Sequence, residues 1–302
     1  MDTPMPVASP TDTEARPAPL VGIRVIEFTH MVMGPSCGMI LADLGADVIK
    51  IEPAPKGDNT RKLTGPATGF FPTFNRNKRS LAVDMKKPAG LALVRRLAKT
   101  ADVLIENFRP GAMDKLGLGY AALAEFNPRL IYCSCKGFLP GPYEHRTALD
   151  EVVQMMGGLA YMTGLPDRPL RVGSSVNDIM GGMFGVIAIL ACLRERDATG
   201  RGGLIQSGLF ETNMVLVAQH LVSFGGLGEK SRFEIRTEQL AGDSDRARRI
   251  QHVHHWICVG WGDTDSGVHF ACGGAPDEQR NLETRARHFL GHVHHFIQRR
   301  RD

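Results

Sequence analysis

The apolar positions of this chain change period several times along its length. Residues 21 to 28 (VGIRVIEF) form a strand-like run, and residues 35 to 44 (PSCGMILADL) have the spacing of a short helix that stops at Gly45. Residues 47 to 52 (DVIKIE) read as a second strand, after which the alternation repeats. Residues 79 to 85 predict a strand, 88 to 100 a helix with proline in its first turn, and 102 to 107 another strand. A helix around residues 120 to 126 and a strand at 129 to 134 follow. From residue 143 to about 224 the pattern turns to long apolar helices, at 148 to 164, 174 to 196 and 200 to 221.

Strands alternating with helices of this length predict an α/β fold, a Rossmann-like, mostly parallel sheet with flanking helices, built from right-handed βαβ units. Ligands of such sheets bind beyond the carboxyl ends of the strands. Here those ends read FTHMVMGP, IEPAPKGD, ENFRPG and CKGFLPGP, rich in Gly and Pro with cations among them. We read residues 1 to 19 as a disordered tail and 20 to 230 as the ligand-binding domain. Residues 231 to 302 form an atypical segment with eight of the eleven histidines, both tryptophans and no lysine.

Composition narrows the function. Of 302 residues 43% are hydrophobic and 23% charged, with a net charge of +4, so neither a nucleic-acid partner nor a membrane span is implied. The proline-rich opening fits neither a signal nor a transit peptide, which leaves a cytoplasmic protein as the expectation. After the first strand only Gly34 and Gly38 occur, so the dinucleotide fingerprint fails, and no P-loop is present. Six cysteines (Cys37, Cys133, Cys135, Cys192, Cys258 and Cys272) form no C-x-x-C pair and read as core thiols. The histidine pairs His254–His255 and His294–His295 lack partners at any recognised metal spacing, so no metal is expected.

Asp178 opens the helix of residues 174 to 196 and is followed by Gly181 and Gly182, which helix interiors disfavour. Two readings fit. The aspartate caps the helix by accepting a first-turn amide, or it is an ionised, partly desolvated nucleophile, with the glycines admitting a close neighbour and donating to an oxyanion.

Six ordered stretches resemble the class III CoA-transferases, the CaiB/BaiF family that includes formyl-CoA:oxalate CoA-transferase and the α-methylacyl-CoA racemases. They are LVGIRVIEFTHMVMGPSCGMILADLGADVIKIEP, FNRNKRSLAVDMKKPAG, ADVLIENFRPGAMDKLGLGY, NPRLIYCSCKGF, SVNDIMGGMFGVIAIL and ATGRGG. The resemblance implies transfer of CoA from an acyl-CoA to a carboxylic acid through an aspartyl-CoA thioester on Asp178. It places coenzyme A against Val32 and Met33, against Val83, Asp84, Met85 and Lys86, and against Asn107, Phe108, Arg109 and Lys115. Lys136, Gly137, Phe138 and Leu139 complete that set, with Lys86, Arg109, Lys115 and Lys136 facing its phosphates. Val32 stands where formyl-CoA transferases have glutamine, and Leu149, just before Asp150, where racemases have their histidine; His145 is too early to replace it. The resemblance further implies an interlocked homodimer and a smaller second domain, which we expect to be largely missing or replaced after about residue 232, as a truncation or frame shift would leave it. A CoA-binding remnant without activity is the alternative, and a racemase a weaker one.

Overall fold

The structure, a computed structural model, describes residues 17–165 and 168–227. The predicted N-terminal tail up to residue 16, the histidine clusters, Cys258 and Cys272 lie outside the described residues.

The first half follows the periodicity closely in β1 (Arg24–Phe28), α1 (Met33–Asp43), β2 (Asp47–Pro53), β3 (Arg79–Val83), α3 (Pro88–Ala98) and β4 (Val103–Glu106), and adds before β3 a short helix, α2 (Phe70–Phe74), that the pattern does not predict. Then come α4 (Ala112–Lys115), α5 (Tyr120–Ala124), β5 (Ile131–Lys136), α6 (Asp150–Met156), α7 (Leu159–Thr163), α8 (Val176–Thr199), β6 (Gly203–Gly208) and α9 (Leu209–Leu227). Two expected helices are divided. The helix of residues 148 to 164 breaks at Gly157 and Gly158, the latter at φ 81°, a backbone state that suits a residue without a Cβ. Residues 203 to 208, expected within a helix, instead form the sixth strand, because β5 offers a full ladder of partners from Ile131 opposite Gly203 to Lys136 opposite Gly208.

All six strands are parallel, in the order β3-β2-β1-β4-β5-β6. Val25, Val103, Ile105, Ile131, Cys133 and Ile205 face one side, where α1 and α8 cover them; Ile26, Phe28, Leu104 and Tyr132 face the other, under α3, α4 and α5. Cys37, Cys133, Cys135 and Cys192 are buried thiols in the first layer, as expected of core cysteines.

The crossovers do not share one hand. From β3 to β4 and from β4 to β5 the chain advances toward β6 over the second face, and from β1 to β2 it moves the opposite way over the first face. Those three connections therefore have the same hand. From β5 to β6 the chain again advances toward the β6 edge, yet its long helix α8 lies on the first face beside α1. This connection is opposite in hand to the others, a departure from the right-handed rule for which the sequence pattern carries no signal.

Glycines explain why α8 settles there. A Cβ on Gly182 would stand 2.7 Å from the Met33 carbonyl oxygen and 2.8 Å from Ser36 Cβ; one on Gly181 would stand 2.6 Å from Met33 Cε. One helical turn on, a Cβ at Gly185 would lie 3.2 Å from Cys37 Sγ. The three positions form a smooth stripe against which the first turn of α1 packs. By length and composition α8 could cross a membrane, but half of its apolar window is buried inside the fold, where it packs on α1, β5 and β6.

Gly182→Ala should lower the unfolding free energy by about 1–3 kcal/mol, since the clash with the α1 backbone outweighs the gain of up to ~1 kcal/mol in helix propensity. Gly203, where an added Cβ meets nothing within 4 Å, is the control. Denaturant melts in which Gly182→Ala was as stable as Gly203→Ala would contradict this account of the helix pair.

Candidate active site

Parallel strands bring every strand-end loop to one edge, and the order reverses between β1 and β4, where such folds open a crevice. The loop after β1 is pinned there residue by residue. Lys50 Nζ donates to the Thr29 carbonyl at 2.6 Å, and Asn107, just past β4, donates to the His30 carbonyl at 2.9 Å and accepts from the His30 amide at 3.0 Å. The Met31 amide donates to Thr60 Oγ1 at 3.1 Å, and Met31 itself sits at φ 61°. So the Asn107 side chain serves as a tie between the β1 and β4 loops.

Beneath this loop lies a buried ionic cluster. Lys50 and Lys78 side chains are each 2% exposed, and Glu27 lies between them, with Lys78 Nζ at 2.8 Å and Lys50 Nζ at 3.4 Å; Asp58 is 3.1 Å from Lys50. Burial pulls the Lys78 ammonium below its ordinary value, against the opposing pull of Glu27. Next to it, burial works to raise the Glu52 carboxyl, but the fork of Arg61, the Asp58 amide and the Ser80 hydroxyl outweigh it and bring it to about 2.

Asp178 stands at the same edge, because α8 runs antiparallel to the strands and begins where they end. The structure corrects the capping reading. Asp178 lies inside the first turn of α8, and the residue preceding the helix, Ser175, makes no side-chain cap. The cap comes instead from Asp150, at the start of α6, whose Oδ1 accepts from the Asn177 amide at 2.7 Å and the Asp178 amide at 3.1 Å. Asp150 is itself held by Gln154 Nε2, while Gln154 Oε1 accepts from the Val172 amide at 2.7 Å. Burial raises the Asp178 carboxyl to about 7, aided by the nearby charges of Asp150 and Glu151 and opposed by Arg171.

The expected oxyanion role of the glycines is likewise corrected. Gly181 and Gly182 lie beyond the first turn, so their amides point into the helix ladder, and the Gly181 carbonyl accepts from Ser207 Oγ at 2.9 Å. Their function is close packing against α1.

The residues expected around coenzyme A all lie on the strand-end edge. Val32 and Met33 are buried at the start of α1, with Met33 against Gly181; Val83, Asp84, Met85 and Lys86 end β3 and lead into α3. At ~5 Å per strand spacing, β3 stands about 15 Å from β4, so these residues do not form one compact cluster. Phe108 stacks on His30 with ring centroids 6.1 Å apart, and Arg109 and Lys115 are exposed. Lys136 is committed differently. Its Nζ lies 2.7 Å from Glu106 Oε1 and 3.4 Å from the Phe108 carbonyl, so it ties the β4 and β5 loops together. Gly137, Phe138 and Leu139 rest on α9: the Phe210 amide donates to the Gly137 carbonyl at 3.0 Å, Phe138 meets the Phe210 ring, and the Leu139 amide donates to Glu211 at 3.0 Å. The reading of residues missed Glu211, a carboxyl that burial raises to about 7, because nothing in its spacing distinguishes it from an ordinary helix-start acid.

A cavity of about 300 Å³ opens on the opposite face of the sheet, between β4, β5 and the helices over them, with Glu106, Tyr132, Lys136 and His145 in its walls. Asp178 does not line it. Among the described residues no cluster of His, Cys, Asp and Glu could hold a metal ion.

A family model described as CoA-transferase family III matches residues 20–259. The chain belongs to that family. A succinate–glutarate CoA-transferase from Agrobacterium fabrum is 42% identical over 226 residues, 71% of this chain and 56% of that protein. An acetyl-CoA:oxalate CoA-transferase from Acetobacter aceti is 42% identical over 228 residues, 72% of this chain and 58% of that protein. Among solved structures, a CaiB/BaiF family protein from Brucella suis is 41% identical with a TM-score of 0.68, covering 72% of this chain and 59% of that one. The chain thus spans less than two thirds of the length of these family III relatives.

The raised carboxyl of Asp178 sets a pH signature. Its folded value lies above the unfolded one, so its contribution to stability is full below about pH 4 and is lost as the pH rises through about 7. Asp178→Asn should therefore stabilise the fold relative to wild type at pH 8, by up to about 4 kcal/mol, and little at pH 4. Thermal melts at the two pH values that showed equal differences would contradict the burial of this charge.

Proposed function

We propose that this chain carries the CoA-exchange chemistry of its family, moving CoA between an acyl-CoA and a carboxylic acid with Asp178 as the acyl acceptor. The observation that carries the reading is a partly buried carboxylate with a proton affinity raised to about 7, placed at the mouth of the sheet beside the β1 loop. A carboxylate of that basicity is a better nucleophile than a solvated one and is still substantially ionised at neutral pH.

The steps balance without water or redox chemistry. The Asp178 carboxylate attacks the thioester carbonyl, releasing CoA thiolate and leaving a mixed anhydride. The thiolate then attacks the Asp178 carbonyl, expelling the first carboxylic acid as its anion and leaving an aspartyl-CoA thioester. The acceptor carboxylate attacks that thioester to form a second mixed anhydride, and the thiolate takes the new acyl group, which frees Asp178. The exposed cations Lys86, Arg109 and Lys115 would meet the phosphates of coenzyme A, while Lys136 holds the Phe108 carbonyl and Glu106 in place. Names of relatives suggest small dicarboxylic acids such as succinate, glutarate and oxalate as the first acceptors to try. In solution the family resemblance leads us to expect a homodimer.

Mass spectrometry of the intact protein after mixing with succinyl-CoA and trapping with hydroxylamine or borohydride tests the proposal. A modification mapped to Asp178 and missing from Asp178→Ala, which should still bind CoA, is the expected result. Retained CoA binding with no modification would overturn the transferase reading and leave a CoA-binding chain without exchange.

A charge-assisted phosphate contact contributes ~1.5–3 kcal/mol, so Arg109→Ala should weaken CoA binding about 10- to 100-fold. Calorimetric titration showing an unchanged affinity would remove Arg109 from the phosphate site.

A further inference from the structure

Asp150 is 3% exposed, belongs to a different helix from the nucleophile and makes its contacts to the backbone of α8. An acidic residue at the position of Asp178 normally folds back to accept an amide at the tip of its own helix. Here Asp150 takes the Asn177 and Asp178 amides of that tip, at 2.7 and 3.1 Å, and among the described residues the Asp178 carboxylate accepts no hydrogen bond. We propose that Asp150 is a positioning residue of this site: by capping α8 from outside, it fixes the turn that carries Asp178 and keeps that turn's amides off the Asp178 carboxylate.

The geometry extends one layer further. Gln154, fully buried, donates to Asp150 with its amide nitrogen and accepts from Val172 with its oxygen, so the segment entering α8 is strung on two adjacent side chains of α6. A carboxylate relieved of its own helix amides keeps its lone pairs for an electrophile, whereas one that accepts two backbone N–H bonds is stabilised as the anion and is less nucleophilic. Asp150 also supplies a like charge, as does Glu151, while Arg171 opposes them; α1 faces this end of α8 with the uncharged Met33 and Ser36 and the Cys37 thiol, and β6 with Ser207. The inference rests on the reading of Asp178 as the acyl acceptor.

Asp150→Asn separates the two contributions, since its amide oxygen can still cap α8 but its charge is gone. Titration of protein labelled with ¹³C at aspartate Cγ, with Asp178→Asn identifying the resonance, reads Asp178 without any substrate. The expected outcome is an Asp178 midpoint about one pH unit or more lower in Asp150→Asn. In Asp150→Ala, amide exchange at Asn177 and Asp178 should be about tenfold faster or more. The cap itself is read in Asp150→Ala: exchange unchanged at both amides, or an Asp178 midpoint no lower than in Asp150→Asn, would overturn the positioning role; should Asp150→Ala not fold, amide exchange at the same two positions in Asp150→Asn, a weaker neutral cap, decides, and unchanged exchange there overturns it. Absence of the acyl adduct on Asp178 in the wild-type chain would overturn only the transferase reading, because both of these readouts are independent of CoA.

Discussion

The contact on which the site depends is the close approach of α8 to α1 along Gly181, Gly182 and Gly185. Ordinary side chains there would hold the helices at the usual 8–10 Å separation and push Asp178 away from the β1 loop. With only hydrogens between the backbones, Met33 fits against Gly181 and the first turn of each helix reaches the same edge of the sheet. The same contact accounts for the odd crossover. The chain from β5 to β6 gives up the common hand and in return lays its helix on α1 rather than beside α5.

Around that pair, rigidity comes from polar groups placed under the loops. In the β1 loop Thr29, His30 and Met31 each have a hydrogen-bond partner from another element, and the partners Lys50 and Thr60 are buried. Burying Lys50, Lys78, Glu27 and Asp58 together carries a desolvation penalty that their mutual attraction only partly offsets. Such a cluster is weak as a source of stability and effective as a device for register, because any displacement of the loop would leave a buried charge unpaired. Lys136 and Glu106 repeat the arrangement between β4 and β5.

Electrostatically the N-terminal end of α8 differs from that of an isolated helix. The tip would ordinarily stabilise an anion on its own first turn. Asp150 occupies that favourable place, and Asp178, next to it and partly out of water, is left with burial and like charge. Environment, not residue type, assigns the two aspartates their different characters.

Much of this was legible before any coordinates. The 2.0 and 3.6 periods located five of the six strands and most helices, and the Gly/Pro-rich strand ends marked the edge where ligands bind. Asp178 stood out because a carboxylate followed by two glycines breaks the pattern of an apolar helix, and the family resemblance then assigned it a role. The strand at residues 203 to 208 was hidden because a short run of alternating residues between glycines acquires its identity only from the ladder it joins. Beyond the reach of the chain pattern were the cap from Asp150, 28 residues away, the diversion of Lys136 to Glu106, and the hand of the last crossover. Periodicity reports which face of an element is buried, and so the sequence determined the layers of the fold and the edge at which the strand-end loops gather. Which side chain from one element satisfies the backbone of another depends on how the elements dock, and so the tertiary structure alone decided that Asp150, and not Asp178, caps α8.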